Sequence, residues 1–277
     1  MTLGRTQVAD FQELVWEHYR TQQRDMPWRQ RPTPYNVLVS ELMLQQTQVS
    51  RVIPKFAAFM SAFPTIESLA NASLSEVLVA WSGLGYNRRA KFLHEAAKKV
   101  VDDFEGVIPD TMTGLTSLPG VGSNTAGAIL AYAYDQPTIF IETNVRTVLF
   151  HHFFTDTDTK VSDKELVDIA GQVLDREQPR EWYWALMDYG TYLKKTAGGR
   201  LDSSRHYKKQ APLKGSLREM RGRILKALTT HSYHDDKLRE AVQADERYDR
   251  ALKKLLDEGL IEHRDTRICL TGHSDAR

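Results

Sequence analysis

The chain has 277 residues, 41% of them hydrophobic, which is enough for a large and a small domain with buried cores. Its beginning is charged and polar where a signal peptide would be apolar, and no stretch reaches the roughly 18 apolar residues of a membrane helix, so we expect no secretion and no membrane. A single cysteine, Cys269, excludes an internal disulfide and favours a reducing compartment, while a net charge of +1 excludes a chain that is strongly basic or acidic throughout.

The first helices with candidate functional residues are predicted between residues 34 and 63. Pro34 suits the first turn of a helix, and Glu41 falls beside the apolar face of that helix. A carboxylate in this position costs free energy of folding, so it is expected to be paired or to have a chemical role. The two glutamines that follow are suited to contact unpaired bases. Apolar residues then recur every three or four positions over residues 49–63, which predicts a second helix with one buried face.

The helical pattern continues along most of the chain. Two capping boxes, each a serine followed three residues later by a glutamate, predict helix starts after Ser73 and Ser162. We therefore predict an all-α domain over residues 1–195 with two lobes. One predicted lobe consists of residues 30–134. The other consists of residues 1–29 together with residues 135–195.

A glycine-rich turn lies in the segment LPGVGSNTA, where Gly120 and Gly122 precede a helix predicted to start near Asn124. Such a turn directs free backbone N–H groups and the positive end of the helix toward one point, which suits a phosphate. A hairpin that merely joins two helices is the alternative.

A second notable carboxylate follows the apolar residues 139–141. Thr143 is the expected N-cap of the next helix, which places Glu142 near a helix N-terminus, where negative charge is favoured. A cap or a salt-bridge partner is the alternative role for Glu142 and for Glu41. Two such acids beside a phosphate-binding turn are harder to explain in that way.

Residues 194–226, here called the basic belt, contain eleven lysines and arginines and two acids, a net charge of +9 in a chain whose total is +1. This favours a polyanionic partner such as nucleic acid, and a solvated linker is the alternative. Residues 196–215 are rich in Gly, Ser and Lys without an apolar period, which predicts a basic linker.

Three amphipathic segments and a hairpin-like stretch follow the linker. The segments are residues 217–230, 236–242 and 247–258, and the predicted turn consists of Arg264, Asp265 and Thr266. This order is typical of a winged helix, so we predict a small winged-helix-like α/β domain over residues 216–277. Such modules usually bind DNA, and packing against a protein partner is the alternative.

Five segments carry a family resemblance: PWRQRPTPYNVLVSELMLQQTQV, GLGYNRRAKFLHEAA, LPGVGSNTAGAI, ETNVRTVL and ALMDYGTYL. In order and spacing they resemble the MutY family of adenine DNA glycosylases, in the endonuclease III superfamily. The resemblance covers roughly residues 10–195. It implies a two-lobed helix–hairpin–helix fold and an enzyme that flips a base out of duplex DNA and hydrolyses its bond to the sugar.

The resemblance also implies roles for the matching residues. Glu41 is implied as the general acid, and Glu142, with Asn144 beside it, as the carboxylate that stabilises positive charge on the sugar. The implied base-pocket residues are Trp28, Arg29 and Asn124. The expected DNA contacts are Gln46, which enters the base stack, and Thr47, Tyr86, Asn87, Arg88, Gly120, Val121, Gly122, Ser123, Thr125, Lys194, Lys195, Lys208 and Lys209.

The chain departs from the family pattern at several positions. Glu142 replaces the family's Asp, and Asn87 replaces the second tyrosine of a GLGYY segment. Lys194 stands where the first cluster cysteine would follow ALMDYGTYL, so we expect no iron–sulfur cluster and no other cofactor. The winged-helix-like segment replaces the family's C-terminal domain. Asn124 stands where strand-cutting relatives carry a nucleophilic lysine, so we expect no lyase activity.

We therefore predict a monofunctional, metal-independent DNA glycosylase that acts as a monomer on double-stranded DNA containing a lesion or mismatch, in the cytoplasm with the DNA. Adenine is the leading candidate for the excised base. A mismatched thymine, uracil or a modified base is the alternative substrate, and a catalytically silent DNA-binding relative is the alternative class.

Overall fold

The computed structural model describes residues 1–155, 160–199 and 212–273. The elements are α1 (Arg5–Gln22), α2 (Pro27–Gln30), α3 (Pro34–Leu44), α4 (Val49–Ala62), α5 (Ile66–Asn71), α6 (Leu74–Trp81), α7 (Arg88–Asp103), α8 (Met112–Thr116), α9 (Ser123–Tyr134), α10 (Thr143–Phe153), α11 (Asp163–Val173), α12 (Pro179–Thr196), α13 (Leu217–Leu228), α14 (Asp235–Ala241), α15 (Tyr248–Asp257), β1 (Ile261–Arg264) and β2 (Arg267–Leu270). The predicted all-α fold with a small C-terminal α/β segment is confirmed. No helix in the described parts of the chain is both long and apolar enough to cross a membrane.

Local sequence signals predicted several helix starts correctly. Pro34 is the first residue of α3, as expected. Ser73 and Ser162 cap α6 and α11, and in both helices the glutamate three residues later closes the capping box. The helix predicted over residues 49–63 is α4, which ends at Ala62.

Contacts between residues divide the chain into two units. The first unit comprises Met1–Glu41, Asp110–Ser117 and Val121–Lys209, and the second comprises Leu42–Pro109, Leu118–Gly120 and Gln210–Arg277. These boundaries differ from the predicted lobes, since residues 30–41 and 121–134 belong to the first unit and the described C-terminal residues group with residues 42–109. The division into residues 1–195, a linker and residues 216–277 stays a prediction, and most of that linker lies outside the described residues.

The first unit is built around α12, which packs against α1, α9 and α10. The rings of Phe11 in α1 and Trp182 in α12 lie edge to face, with centroids 6.1 Å apart. Gly190 marks a very close approach of α12 to α10, since a Cβ atom there would lie 2.5 Å from the carbonyl oxygen of Asn144. A glycine is therefore required for these two helices to come this close.

The irregular segment that leads into α10 is held from two sides. The hydroxyl group of Tyr183 donates to the carbonyl oxygen of Thr138 at 2.9 Å and accepts from the N–H of Phe140 at 3.2 Å. The rings of Phe140 and Tyr183 also stack, with centroids 4.0 Å apart. On the other side Gly127 of α9 lets Phe140 approach, because a Cβ atom there would lie 2.9 Å from the Phe140 Cβ atom.

The C-terminal segment contains three helices and a β-hairpin. The strands β1 and β2 are antiparallel, and their last pair is Arg264 with Arg267. The turn therefore consists of Asp265 and Thr266, and the prediction that Arg264 belongs to the turn was wrong because this residue still pairs in the ladder. Tyr233, before α14, adds an antiparallel bridge to the hairpin. The sequence analysis did not predict that bridge.

Hydrogen bonds join this C-terminal segment to α6, to α7 and to the loop between them, all in the same unit. They are Lys91 Nζ to the Glu258 carbonyl oxygen at 2.7 Å, Ser75 Oγ to the Gly272 carbonyl oxygen at 3.2 Å, and the Arg218 guanidinium group to the Tyr86 hydroxyl oxygen. One side of the winged-helix-like segment is thus used for packing within its own unit.

Among the described charged residues of the first unit, Asp188 of α12 should be the one whose substitution destabilises the protein most. Its buried carboxylate accepts from Arg24 Nε at 2.6 Å and from Arg29 Nη1 at 2.8 Å. Because loss of one partner leaves buried charges unpaired, we expect Asp188→Asn to lower the free energy of unfolding by about 3 kcal/mol in a denaturant titration. Asp103→Asn, which breaks a more exposed pair with Lys99, should cost less than about 1 kcal/mol. Equal losses would contradict this role.

Candidate active site

Two carboxyl groups meet in the first unit, where the side chains of Glu41 and Glu142 are hydrogen-bonded to each other. Glu41 lies in the last turn of α3, and Glu142 immediately precedes α10. Both residues are partly buried. Two carboxyl groups in contact resist simultaneous ionisation, so the pair holds one proton over a wide pH range.

The surroundings of the pair favour the proton on Glu41. Its pKa lies well above the ordinary value, first because burial disfavours the charged form, and then because Glu142 repels a second negative charge and accepts the Glu41 proton. Val37 and Leu38, one turn earlier in α3, are buried and supply an apolar surrounding. The position of Glu41 beside the apolar face, expected from the sequence, is thus the cause of its altered acidity.

The pKa of Glu142, the second member of the pair, is also raised above the ordinary value. Burial raises its pKa, but the positive charge of Lys194 and the hydrogen bond from Glu41 oppose that rise. Glu142 is itself the N-cap residue of α10, with an extended backbone (φ −90°, ψ 170°), and Thr143 is the first helical residue. The prediction that Thr143 is the N-cap was therefore wrong by one position. The N-terminus of α10 favours the negative charge of Glu142.

Asn144 and Lys194 lie next to this carboxylate. Lys194 Nζ donates to Asn144 Oδ1 at 2.5 Å, and Asn144 Nδ2 donates to Thr191 Oγ1 at 3.3 Å. Asn144 is thus beside the acid, as the family resemblance implied. Lys194, expected on DNA phosphate, is half-buried and directed to Asn144 and Glu142 instead.

Asn124 positions the chain that carries Glu142. Its side-chain amide donates to the carbonyl oxygen of Ile141 at 3.4 Å and accepts from the N–H of the same residue at 3.3 Å. Both contacts are made to the residue immediately before Glu142. Asn124 was predicted to line a base pocket, and the structure gives it a positioning role beside the acidic pair.

Tyr132 of α9 is a neighbour of the pair that the sequence analysis missed. It is buried, and its pKa is raised well above the ordinary value by burial and then by the negative charges of Glu41 and Glu142. In the sequence Tyr132 looks like any other core aromatic residue of an apolar helix.

Arg29 and Trp28 were expected near the mouth of a base pocket. Arg29 instead makes two bonds to the Asp188 carboxylate, Nη1 at 2.8 Å and Nη2 at 2.9 Å, and lies over the ring of Trp184. Its guanidinium group is therefore engaged with a buried acid, because Asp188 needs a counter-charge there. Trp28 is buried in α2.

The described residues contain no cluster of metal-binding side chains. Within residues 1–155, 160–199 and 212–273, no group of three or more His, Cys, Asp and Glu side chains is arranged to hold a metal ion. An iron–sulfur cluster held by four thiolates does not fit this chain, whose one cysteine, Cys269, is buried in β2.

Comparison with known proteins identifies the relatives of this chain. Residues 39–170 match the family described as HhH-GPD superfamily base excision DNA repair protein. The adenine DNA glycosylase of Mycolicibacterium smegmatis is 33% identical over 289 residues, with 97% of this chain and 98% of that protein covered. The chain belongs to the adenine DNA glycosylase family of the HhH-GPD superfamily.

Other members of the family are longer than the matched region. The adenine DNA glycosylases of Mycobacterium tuberculosis and Rattus norvegicus are 39% and 40% identical, over 68% and 66% of this chain. The chain spans only 62% and 38% of the lengths of these two relatives.

Solved structures share the fold of this family member. A thermostable thymine-DNA glycosylase aligns with a TM-score of 0.62 and 22% identity, covering 71% of this chain and 92% of that one. A trapped endonuclease III–DNA covalent intermediate aligns with a TM-score of 0.57 and 18% identity, covering 76% and 91%. The predicted helix–hairpin–helix glycosylase fold is confirmed.

In the first unit, the expected DNA contacts near α9 differ in exposure. Gly122, the N-cap residue of α9, and Ser123 are exposed, Thr125 is partly buried, and the side chain of Val121 is buried. Gly122 has an ordinary negative φ of −87° and open space around it, so the fold does not require a glycine there. Lys195 is exposed at the end of α12.

In the second unit, Gly120 is required by its surroundings. Its φ is +78°, and a Cβ atom would lie 2.8 Å from the Phe92 Cβ atom. Gln46 and Tyr86 also have positive φ angles, 56° and 48°, which are uncommon for side chains of this kind. Such backbone conformations concentrate at functional sites.

Arg89 is a structural residue of this region that the sequence analysis missed. Its buried guanidinium group donates to the carbonyl oxygens of Leu42 at 2.6 Å and Met43 at 2.8 Å, and to Thr47 Oγ1 at 2.9 Å. These acceptors lie at the end of α3, where carbonyl groups lack helical partners. Burial lowers the pKa of Arg89 to about 10, which leaves it cationic at neutral pH.

The neighbouring predicted contacts are more accessible. Arg88 is exposed, with its guanidinium carbon 5.0 Å from the centroid of the Phe92 ring. Asn87 is partly buried as the N-cap residue of α7. Thr47, in contrast, accepts the bond from Arg89 described above and is partly buried.

The basic belt is less available for a polyanion than its charge indicates. Arg221 pairs with Glu258, and Arg223 Nη2 lies 3.0 Å from Glu219 Oε1. Lys195, Lys214 and Lys226 are exposed. Lys208 and Lys209 lie outside the described residues.

Glu41 should give the free energy of unfolding a characteristic dependence on pH. Its pKa is raised on folding, so above the ordinary glutamate value the unfolded chain ionises while the folded protein does not, and stability falls as pH rises. We expect Glu41→Gln to be more stable than the wild type at about pH 7.5 in a denaturant titration, with a difference that shrinks toward about pH 4.

The exposed capping residue Glu76 provides a control of opposite sign. Its pKa is lowered by hydrogen bonds to Ser73, so its stabilising effect is present at neutral pH and is lost as pH falls. Glu76→Gln should therefore be destabilising near neutrality only. A pH-independent difference for Glu41→Gln would contradict the raised pKa of Glu41.

Proposed function

We propose that this chain is a DNA glycosylase that removes adenine from double-stranded DNA by hydrolysing the bond between the base and its sugar. The observation that carries the proposal is the buried, hydrogen-bonded pair of the Glu41 and Glu142 carboxyl groups, in a member of the adenine DNA glycosylase family. A proton donor and a carboxylate held together are the two groups that hydrolysis of a glycosidic bond requires.

Glu41 supplies the proton. The departing base carries away the electron pair of the glycosidic bond, and protonation of one of its ring nitrogens makes it a better leaving group. A carboxyl group with an ordinary pKa would be ionised at neutral pH and could not donate, whereas the raised pKa of Glu41 retains the proton. Glu41 then becomes the base that accepts a proton from the attacking water.

Glu142 stabilises the sugar. As the bond to the base breaks, positive charge develops on the sugar, and a fixed carboxylate lowers the energy of that state. Glu142 is fixed by its position at the start of α10 and by the clamp of Asn124 on the preceding residue. Water attacks the sugar carbon, so the products are the free base and an abasic sugar.

Contacts with DNA are proposed on three further grounds. The exposed N-terminus of α9 at Gly122 presents backbone N–H groups to a phosphate. Exposed Gln46, at a left-handed backbone position, is suited to enter the base stack when the target nucleotide is flipped. The exposed lysines of the basic belt add charge attraction to the backbone.

Three further properties belong to this proposal. The enzyme acts without an iron–sulfur cluster or other cofactor, since one cysteine cannot supply four thiolates. It does not cut the strand through the position of Asn124, because an amide side chain cannot form a Schiff base. It acts as a monomer in the compartment that holds the DNA.

A different excised base is the second candidate. Glu142 is one methylene longer than the Asp of the family pattern, roughly 1.5 Å of additional reach, and in this chain it bonds directly to Glu41. The group that protonates the base is thereby tied to the group that faces the sugar, which favours a changed preference for the leaving base. Single-turnover assays over duplexes that each contain one mismatch or lesion distinguish the candidates, and an inert wild type would favour a silent DNA binder.

Substitutions of the acidic pair test the proposed chemistry. We expect Glu41→Gln to abolish base release, and Glu142→Gln to slow single-turnover release at least about 100-fold, because each amide removes a proton donor or a charge needed in the transition state. Glu142→Asp should retain measurable activity. Binding to the same duplex should stay within about threefold in each variant.

Glu177→Gln is the control for these variants, because Glu177 is an exposed glutamate of the same unit. It should excise and bind as the wild type does. Wild-type rates in Glu41→Gln would show that the acidic pair is structural and would refute the proposed chemistry.

The glycines of the turn before α9 separate DNA binding from folding. Gly122 has open space around it, so Gly122→Ala should keep the thermal stability of the wild type but weaken DNA binding at least about tenfold, because the methyl group would obstruct a phosphate. Gly120→Ala should instead lower stability by about 1 kcal/mol or more, because of its positive φ and the nearby Phe92.

The control is Gly4→Ala, which also has open space and lies before α1. It should change neither property. Unchanged DNA affinity in Gly122→Ala, measured by fluorescence anisotropy, would refute a close phosphate contact at this residue.

A further inference from the structure

Lys194 occupies a position that is unusual for a DNA-contacting lysine. It lies in the last turn of α12, is half-buried, and donates to Asn144 Oδ1 at 2.5 Å. One turn earlier Gly190 brings α12 so close to α10 that a Cβ atom would collide with Asn144. The close helix approach and the hydrogen bond together fix the lysine beside the N-terminus of α10, where Glu142 lies.

We propose that Lys194 is an active-site positioning residue that holds Asn144 in place and keeps Glu142 ionised opposite the protonated Glu41. The proposal rests on the proposed glycosylase chemistry and adds a residue to it. It assigns to Lys194 a role in the reaction instead of the phosphate contact expected from the basic belt.

Two carboxyl groups that share one proton are nearly equivalent. Only an asymmetric surrounding decides which group is the acid and which is the carboxylate. The positive charge of Lys194 lowers the pKa of Glu142, whereas the pKa of Glu41 is raised by burial and by Glu142. The cation therefore favours the arrangement with the proton on Glu41.

In the parts of the chain that the structure describes, the other charged and titratable groups around the pair do not replace this effect. Tyr132 of α9 is a buried phenol whose raised pKa keeps it neutral, and Arg24, before α2, acts on Lys194 by lowering the lysine's pKa. Burial lowers the pKa of Lys194 most, and Glu142 opposes that change by favouring the ammonium form. Lys194 and Glu142 thus stabilise each other's charged states.

A substitution of Lys194 should therefore change the pH profile and not only the rate. The reactive form needs an ionised Glu142, so the rate falls as pH drops through the lower pKa of the pair. Without the nearby cation both carboxyl groups hold their protons to higher pH. We expect Lys194→Gln to shift the acid limb of single-turnover excision upward by about 1 pH unit or more, and to lower the neutral rate at least about tenfold.

Comparison variants separate this role from folding and from DNA binding. Lys194→Arg keeps the charge and should restore the position of the acid limb. Lys195→Gln changes the exposed neighbour and should weaken DNA binding without moving the acid limb or the basic limb of the pH profile. Lys164→Gln, an exposed lysine of α11, should leave both affinity and pH profile unchanged. These profiles are to be measured with saturating enzyme on the duplex from which the wild type releases a base fastest.

A second measurement is independent of activity. In a Glu41→Gln background, Glu142 titrates alone, and its pKa can be followed by carboxyl ¹³C NMR. Lys194→Gln should raise that pKa by about 1 unit or more. If the wild type releases no base from any duplex, the proposed function fails while this titration still tests Lys194. An unmoved Glu142 titration, or a loss of DNA affinity with unchanged pH limbs, would overturn the role of Lys194.

Discussion

The hydrogen bond between Glu41 and Glu142 joins the last turn of α3 to the residue before α10 and constrains much of the first unit. Both elements must be held to within a fraction of an ångström for this bond to exist. The bonds of Tyr183 to Thr138 and Phe140, together with those of Asn124 to Ile141, provide this precision on the Glu142 side. The core of the first unit is thus organised to present one carboxyl group to another.

This arrangement is unfavourable for stability, because burial and mutual repulsion both oppose ionisation of the two acids. The first unit contains arginines that could neutralise them, yet Arg24 and Arg29 are directed to Asp188. Among the described residues, the partly buried Lys194 supplies positive charge to Glu142 instead. One positive charge balances one carboxylate, and the other carboxyl group keeps its proton. Acid-assisted cleavage of a glycosidic bond needs one carboxylate and one protonated carboxyl group.

Sequence patterns predicted what depends on local chemistry or on a shared motif. The starts of α3, α6 and α11 follow from Pro34 and from two capping boxes, and the helix–hairpin–helix fold follows from the family segments. The hydrogen bonds of Arg89 to the end of α3 could not be predicted, because they join residues more than forty positions apart. In the sequence, Arg88 and Arg89 look like any other pair of adjacent arginines. Likewise, the requirement for glycine at Gly190 depends on a helix crossing that no local pattern encodes.

Lys194 illustrates what charge patterning alone does not predict. In the sequence it is the first of eleven basic residues, and such runs usually lie on a solvated face. Its direction is set by the helical period of α12: Lys194 follows Gly190 by four residues and therefore lies on the same face, toward α10. Lys195 is turned by about 100° from that face and is exposed. Two adjacent lysines thus belong to different parts of the protein's chemistry, one beside the acidic pair and the other on the surface proposed to meet DNA.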